Sequence, residues 1–299
     1  MKNDQKAYLF AGFTILFWGT SASAFKIGLR HIDYFQLLLY STFTAVVFLF
    51  FVLWFQKKLY MLKTYSARDY LHSIFLGFLN PFLYYVVLFR AYTLLPAQIA
   101  QPLNFIWPIA LVLLSIPILK QKLSIRSFTA LVISFIGVYF ISSQGDLFNL
   151  KFANPLGVAL ALSSSIVWAL FWLFNMRDKR DEVVKLFLNF GFAFIFILIL
   201  TIKESSVVID SAKGIFSGIY IGFFEMGITF VLWLKALKLA GRTDKIGNLI
   251  YLTPFFSLIF IHLILGEKIY LTTIFGLVLI VSGIMLQQIK RGKNEKSTL

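Results

Sequence analysis

The sequence predicts an all-α polytopic membrane protein with ten transmembrane helices, arranged as two inverted five-helix repeats. Three observations carry this prediction. Of the 299 residues, 59% are apolar, against about 45–50% in soluble domains. Two stretches repeat in a fixed register. At an offset of 145, Ile74, Gly77, Phe78, Val86, Ala91 and Leu94 match Ile219, Gly222, Phe223, Val231, Ala236 and Leu239, and Arg90 falls on Lys235. At an offset of 146, Leu103, Pro108, Lys122, Leu131, Val132 and Gly137 fall on Leu249, Pro254, Lys268, Leu277, Val278 and Gly283. Leu and Ile match easily by chance, but glycine, proline and basic positions in one register do not. Finally, the basic residues concentrate in alternate loops.

A helix needs about 20 residues at about 1.5 Å rise to cross a hydrocarbon core of about 30 Å. Spans of that kind fall at about 7–28, 34–55, 70–93, 96–118, 128–143, 156–175, 184–202, 214–234, 246–265 and 269–289. The first repeat is placed at 1–145 and the second at 154–290, with a polar tail at 291–299 expected to be disordered and cytoplasmic. The first span has a rival reading. Lys2 and Lys6, an apolar run and then Ser21-Ala22-Ser23-Ala24 resemble a secretory signal. An uncleaved helix is favoured, because the run continues to Leu29 and cleavage would break the repeat.

The net charge is +15, yet the basic residues sit in short clusters between apolar runs, so nucleic acid is not the expected partner. The side holding both termini carries 21 of the 28 Lys and Arg, including Lys57, Lys58, Lys63, Arg68, Arg177, Lys179, Arg180 and Lys185. Positive loops stay cytoplasmic. Both termini and the 177–182 loop are therefore expected inside, in a multi-pass protein of the cell membrane. Five spans is an odd number, so the second repeat runs upside down relative to the first. The turn after the fourth span is accordingly basic (Lys120, Lys122, Arg126), while its counterpart after the ninth holds only Glu267 and Lys268. Inverted repeats place substrates near the bilayer midplane, at the repeat interface.

Several chemistries are excluded. The chain has no cysteine, which removes disulfides, thiol catalysis and cysteine-bound metals. No GxxxxGK[ST] phosphate loop is present, nor an HExxH. His31, His72 and His262 lack metal-ligand spacing, and Ser163–Ser165 have no His or Lys in obvious reach. No cofactor or metal is expected.

Lipid-facing helix surfaces need no polar groups, so polar stripes at helical spacing mark seams or a cavity. The first span carries Thr14, Trp18, Ser21 and Phe25; the third Gly77, Asn80 and Tyr84; the fourth Ala97, Gln101, Asn104 and Pro108. The sixth carries Ser164, Trp168, Trp172 and Asn175; the eighth Gly218, Gly222, Glu225 and Thr229; the ninth Asn248, Tyr251 and Phe255. Any single stripe could be interhelical hydrogen-bonding glue, but the symmetric set points to one shared cavity. The candidate substrate-binding residues are Trp18, Ser21, Asn80, Tyr84, Gln101, Asn104, Trp168, Trp172, Glu225, Thr229, Asn248 and Tyr251.

The fifth and tenth spans are nearly all apolar. Their glycines Gly137, Gly276 and Gly283 suit close packing with each other or with a second subunit. Pro81, Pro102, Pro108 and Pro254 lie inside spans, where each either kinks the helix or bares a carbonyl. Lys26, Arg90 and Lys235 sit near span ends and are expected to reach the headgroups.

Glu225 stands near the midplane of the eighth span, where an unpaired carboxylate costs at least ~2.5 kcal/mol. Its counterpart in the first repeat is Asn80. It could hold a substrate ammonium group or take up a coupling proton; the structural alternative is an acid paired with Lys, or protonated and hydrogen-bonded.

Residues 249–269 (LIYLTPFFSLIFIHLILGEKI), residues 274–284 (IFGLVLIVSGI) and the early Trp18-Gly19 resemble the drug/metabolite transporter superfamily, specifically its EamA-type members. The resemblance covers nearly the whole chain. Residues 103–108 (LNFIWP) look like the branch containing aromatic-amino-acid exporters. The resemblance implies ten helices, cytoplasmic termini and a central cavity lined by spans one, three, four, six, eight and nine. Its Gly-Glu pair is present at Gly266-Glu267, whereas the first repeat has Lys120-Gln121.

The expected function is a secondary transporter exporting a small amphipathic metabolite, with amino acids favoured, by alternating access. Trp and Tyr rings offer flat apolar surface; Asn and Gln offer hydrogen bonds; Glu225 can meet an ammonium. Lysines are absent from the middle of the stripes, which argues against sugar phosphates or nucleotides. The alternatives are efflux of drugs or lipophilic cations and, from another class, a lipid scramblase or membrane enzyme.

Overall fold

A computed structural model describes residues 3–119, 125–146, 153–240, 246 and 249–288. Among these residues all regular structure is helical. In order come α1 (Asn3–Leu29), α2 (Tyr34–Phe55), α3 (Ala67–Leu94), α4 (Ala97–Asn104) and α5 (Trp107–Leu119). They are followed by α6 (Ile125–Ser142), α7 (Pro155–Asn175), α8 (Glu182–Glu204), α9 (Ala212–Leu239), α10 (Leu249–Leu265) and α11 (Leu271–Gln288). Six of them, α1, α2, α3, α7, α8 and α9, are long and apolar enough to cross a membrane. Their outward faces carry exposed apolar side chains such as Phe13, Phe43, Phe50, Ile195, Ile199 and Phe216, as a bilayer-facing surface does. The chain is a multi-pass membrane protein.

Short polar residues start the helices. Asp33 and Gln36 form a reciprocal capping box before α2, and Ser66 and Asp69 form one before α3. Asn154, Asp181 and Ser211 cap α7, α8 and α9 by accepting backbone N–H bonds. Gly266 follows α10 with φ of 68°, the left-handed conformation that ends helices. The break between α4 and α5 precedes Trp107-Pro108; Pro108 has no N–H with which to continue the ladder.

Both 28-residue helices, α3 and α9, contain a wide turn near the middle, at Phe78–Leu83 and Ile221–Gly227. In α3 the turn contains Pro81, and Asn80 leaves helical conformation with φ −149° and ψ 124°. In α9 it contains Gly222 and Gly227. A Cβ on Gly227 would come to 2.8 Å from the Phe48 ring, so α9 lies tightly on α2.

The helix contacts come in exchangeable pairs. α1 packs on α9 and α10, while α7 packs on α3, α4 and α5; α2 packs on α9, while α8 packs on α3. The remaining extensive contacts are α2 with α8 and α6 with α11. The apolar fifth and tenth spans pack on each other: α6 and α11 cross backbone to backbone. A Cβ on Gly137 would sit 2.6 Å from the Gly276 carbonyl oxygen, and one on Gly276 would sit 2.5 Å from that of Gly137.

One lysine departs from its expected place, and another is unexpectedly buried. Lys26 does not reach out to headgroups; its ammonium donates to the Tyr92 carbonyl at 2.6 Å. Lys185, counted with the loop charges, is buried. It donates to the carbonyls of Asn175 (3.4 Å) and Asp178 (3.1 Å) and pairs with Glu182 at 2.8 Å, so it caps the last turn of α7 from α8. Arg90 stacks over the Tyr34 ring at 5.7 Å.

Candidate functional site

A cavity of about 980 Å3 runs inward from the ends of α7 and α9 and the start of α8. The deep wall comes from α1, whose Trp18, Ser21 and Phe25 share one helical face. Facing them is Glu225, in the wide turn of α9. Its Oε2 accepts from the Ser21 hydroxyl at 2.5 Å and its Oε1 from the Tyr85 hydroxyl at 2.9 Å. The Trp18 indole donates to the Glu225 backbone carbonyl at 3.3 Å. The carboxylate is thus held at the cavity wall by two neutral donors, only 7% exposed.

A second polar chain links three helices. The Tyr84 hydroxyl donates to Asn104 Oδ1 at 3.1 Å, and Asn104 Nδ2 donates to the Ser164 hydroxyl at 2.8 Å. Higher on α4, Gln101 accepts from the Tyr92 hydroxyl at 2.6 Å. Aromatic rings fill the space between these polar groups. Trp168 lies 4.6 Å from Tyr84 and 6.0 Å from Trp172, and Trp18 lies 6.0 Å from Trp233, as ring centroids. Phe105 meets Tyr251 edge-on at 6.3 Å.

The mouth is charged. Asp178, Glu182, Lys185 and Lys238 line it together with Asn175. Burial alone would raise the Asp178 carboxyl, but the Arg180 guanidinium, bonded to it at 2.6–3.1 Å, and Lys185 hold it below the usual carboxylate range. Lys58 pairs with Asp181 at 2.6 Å and Arg180 donates to the Asp69 carbonyl at 2.8 Å, which ties the α2–α3 segment to the 176–181 loop. Among the described residues, no cluster of His, Asp and Glu could hold a metal ion.

Of the candidates, Trp18, Ser21, Tyr84, Gln101, Asn104, Trp168, Trp172, Glu225 and Tyr251 line the cavity. Asn80 and Thr229 do not. Asn80, non-helical in backbone, lies fully buried, its amide without a hydrogen-bond partner among the described residues. Thr229 spends its hydroxyl on the Phe224 carbonyl. Asn248 lies outside the described residues. The stripes missed Tyr85, which donates to Glu225 from behind the cavity wall, and Trp233, which lines the cavity. Tyr85 is fully buried beside Tyr84, and the wide turn preceding it shifts the helical register by which the stripe was drawn. Trp233 stands four residues beyond Thr229, so simple extension of the eighth stripe reaches it.

The sequence matches the EamA-like transporter family over residues 5–143 and again over residues 155–287. The chain belongs to that family. A relative from Archaeoglobus fulgidus, described as an uncharacterized transporter, is 25% identical over 292 residues, covering 96% of this chain and 99% of its own. The Bacillus subtilis uncharacterized transporters YvbV and YxxF are 26% and 24% identical, over 71% and 86% of this chain and 70% and 82% of theirs. A solved crystal structure with 18% identity has the same fold, with a TM-score of 0.66 over 95% of this chain and 97% of that one. EamA-type proteins form part of the drug/metabolite transporter superfamily, and this chain is a membrane transporter.

Proposed function

We propose that the protein is a secondary transporter that exports a small amphipathic metabolite across the cell membrane by alternating access. The substrate class favoured is an amino acid with a flat apolar side chain. The observation that carries this is the buried Glu225 carboxylate at the wall of an aromatic cavity, bonded among the described residues by the neutral hydroxyls of Ser21 and Tyr85. Among the described residues it forms no ion pair, and an ammonium group or a coupling proton would supply the missing charge. Trp18, Tyr84, Trp168, Trp172 and Tyr251 would bind the flat part; Gln101, Asn104 and Asn248 would meet polar groups. Phe105 and Trp107, at the cavity and within the stretch that resembles aromatic-amino-acid exporters, favour an aromatic side chain.

The working unit is read as ten helices in two inverted repeats. Support comes from the paired contacts, from the wide turns of α3 and α9, and from Ser66 and Ser211, caps that stand 145 residues apart. With the 176–181 loop and both termini cytoplasmic, the cavity opens to the cytoplasm, the side from which an exporter loads.

Reconstituted protein in liposomes tests this reading. Saturable, counterflow-competent uptake of a labelled aromatic amino acid is expected. The aromatic walls equally suit a lipophilic cation, and uptake of quaternary amines alone would favour drug efflux. Lipid flipping without solute uptake would replace transport of a metabolite by scrambling.

A further inference from the structure

The half of the molecule away from the cavity mouth is closed in two layers. The inner layer is aromatic: the Phe25 ring lies 4.9 Å from Phe89, 5.3 Å from Tyr92 and 6.5 Å from Tyr85, and all four are buried. Beyond it lies a polar layer. Glu267, just past α10, accepts from the backbone N–H groups of Ala97 at 2.9 Å and Gln98 at 3.1 Å, in the first turn of α4. The Gln98 side chain, 3% exposed, returns the contact. Its Nε2 donates to the Lys268 carbonyl at 2.8 Å, and its Oε1 accepts from the Tyr270 N–H at 3.0 Å and the Thr273 hydroxyl at 3.4 Å. Lys26, anchored on the Tyr92 carbonyl, lies within electrostatic reach of Glu267.

The first turn of a helix has N–H groups with no partner inside the helix. A carboxylate there makes charge-assisted bonds with the helix dipole behind them. Here the carboxylate and the helix belong to opposite halves of the chain, so the bonds cross the seam that an alternating-access cycle must open. They join only two short segments, and they share one glutamate and one glutamine. Losing either side chain therefore removes a large part of the layer at once. A permanent joint has no need of this dependence, whereas a reversible one does.

We propose that Glu267 and Gln98 form the gate opposite the cavity mouth: their bonds hold that side closed in the present state and break when the cavity opens the other way. This rests on the alternating-access reading above. They are positioning residues, since neither lines the cavity.

The absence of native cysteine allows spin labels at Thr93→Cys and Leu271→Cys, exposed positions flanking the gate. Double electron–electron resonance in lipid nanodiscs should give one short-distance population for the otherwise unaltered protein. Glu267→Gln keeps the size but replaces the charged acceptor; it should add a longer-distance population, raising the open-to-closed ratio about fivefold, the difference between a charge-assisted and a neutral hydrogen bond. Gln98→Ala should act in the same direction. Unchanged distances in both variants, with thermal unfolding still cooperative, would overturn the proposal. If either variant does not fold, a thiol cross-linker between the exposed Thr93→Cys and Leu271→Cys positions, with Glu267 and Gln98 intact, decides instead. Cross-linking should abolish flux reversibly; full flux through the cross-linked protein would refute the gate. The distance measurement needs neither a known substrate nor a known orientation, so a failed transport assay counts against the proposed function and leaves the gate to be judged by the distances.

Discussion

At the scale of single residues, Glu225 is the group on which the proposed chemistry depends. Glu225→Gln preserves shape but removes the charge. If the acid holds the substrate's ammonium, binding should weaken more than tenfold, for a loss of about 2 kcal/mol in a charge-assisted bond. If it carries the coupling proton, binding should persist while flux loses its pH dependence; isothermal titration and flux at several pH values separate the two. Neither change would mark Glu225 as structural. Tyr85→Phe deletes one of the two donors at 2.5–2.9 Å and leaves an oxygen of a buried carboxylate unsatisfied. It should lower stability by about 1–3 kcal/mol, read as a lower thermal midpoint, and substrate should restore part of that loss by binding the folded state.

At the scale of elements, the wide turns of α3 and α9 explain what could and could not be read in advance. Polar spacing found Trp18, Ser21, Gln101, Trp168 and Glu225 because their helices are regular there, or because a lone acid in an apolar run needs no register to be noticed. Asn80, Thr229 and Tyr85 all lie in or just beyond a wide turn, where 3.6-residue counting fails. The burial of Lys185, which the sequence counts only as a charge on the side of the termini, was illegible for another reason: the carbonyls of Asn175 and Asp178 that receive it are brought there only by tertiary folding. The α6–α11 crossing makes its own prediction. Gly137→Leu must push apart two backbones in direct contact and should cost about 1–3 kcal/mol or more, measured by thermal unfolding in detergent. Phe135→Ala, on an exposed face of α6, should cost much less. The 176–181 loop adds a pH effect. The Asp178 and Asp181 carboxyls lie below their ordinary range: burial raises them, but Arg180 and Lys58 pull them down further. A depressed carboxyl contributes stability above its unfolded pKa and loses it as pH falls through the folded value. Acidification below the usual carboxylate range should therefore loosen this loop, seen as faster amide hydrogen exchange.

At the scale of the whole molecule, membership of a membrane-transporter family was legible because apolar content and family motifs are spread over nearly the whole chain. What joins the halves, from the Glu225 hydroxyl ligands to the Glu267 contacts, depends on pairs more than 100 residues apart, which no local pattern records. Orientation is open to direct test. A cysteine at Val208, exposed on the side opposite the mouth, should react with a membrane-impermeant maleimide in intact cells, and one at Lys179 should not. The reverse labelling would turn the proposed exporter around. Within the cavity, Trp168→Ala should cut flux severalfold while the protein remains folded in the membrane, and Phe135→Ala should leave flux near normal; equal effects would make the aromatic wall mere packing.

The lysine buried under the mouth has a mechanical corollary. Lys185 holds the last turn of α7 to the first turn of α8, and Asp181, beside it, is tethered to Lys58. Trp168 and Trp172 ride on α7. In the alternating-access reading, a swing of α8 across the mouth would take these two indoles with it, so a bound molecule would be carried by a moving piece of its own container, as cargo in a rocking cradle.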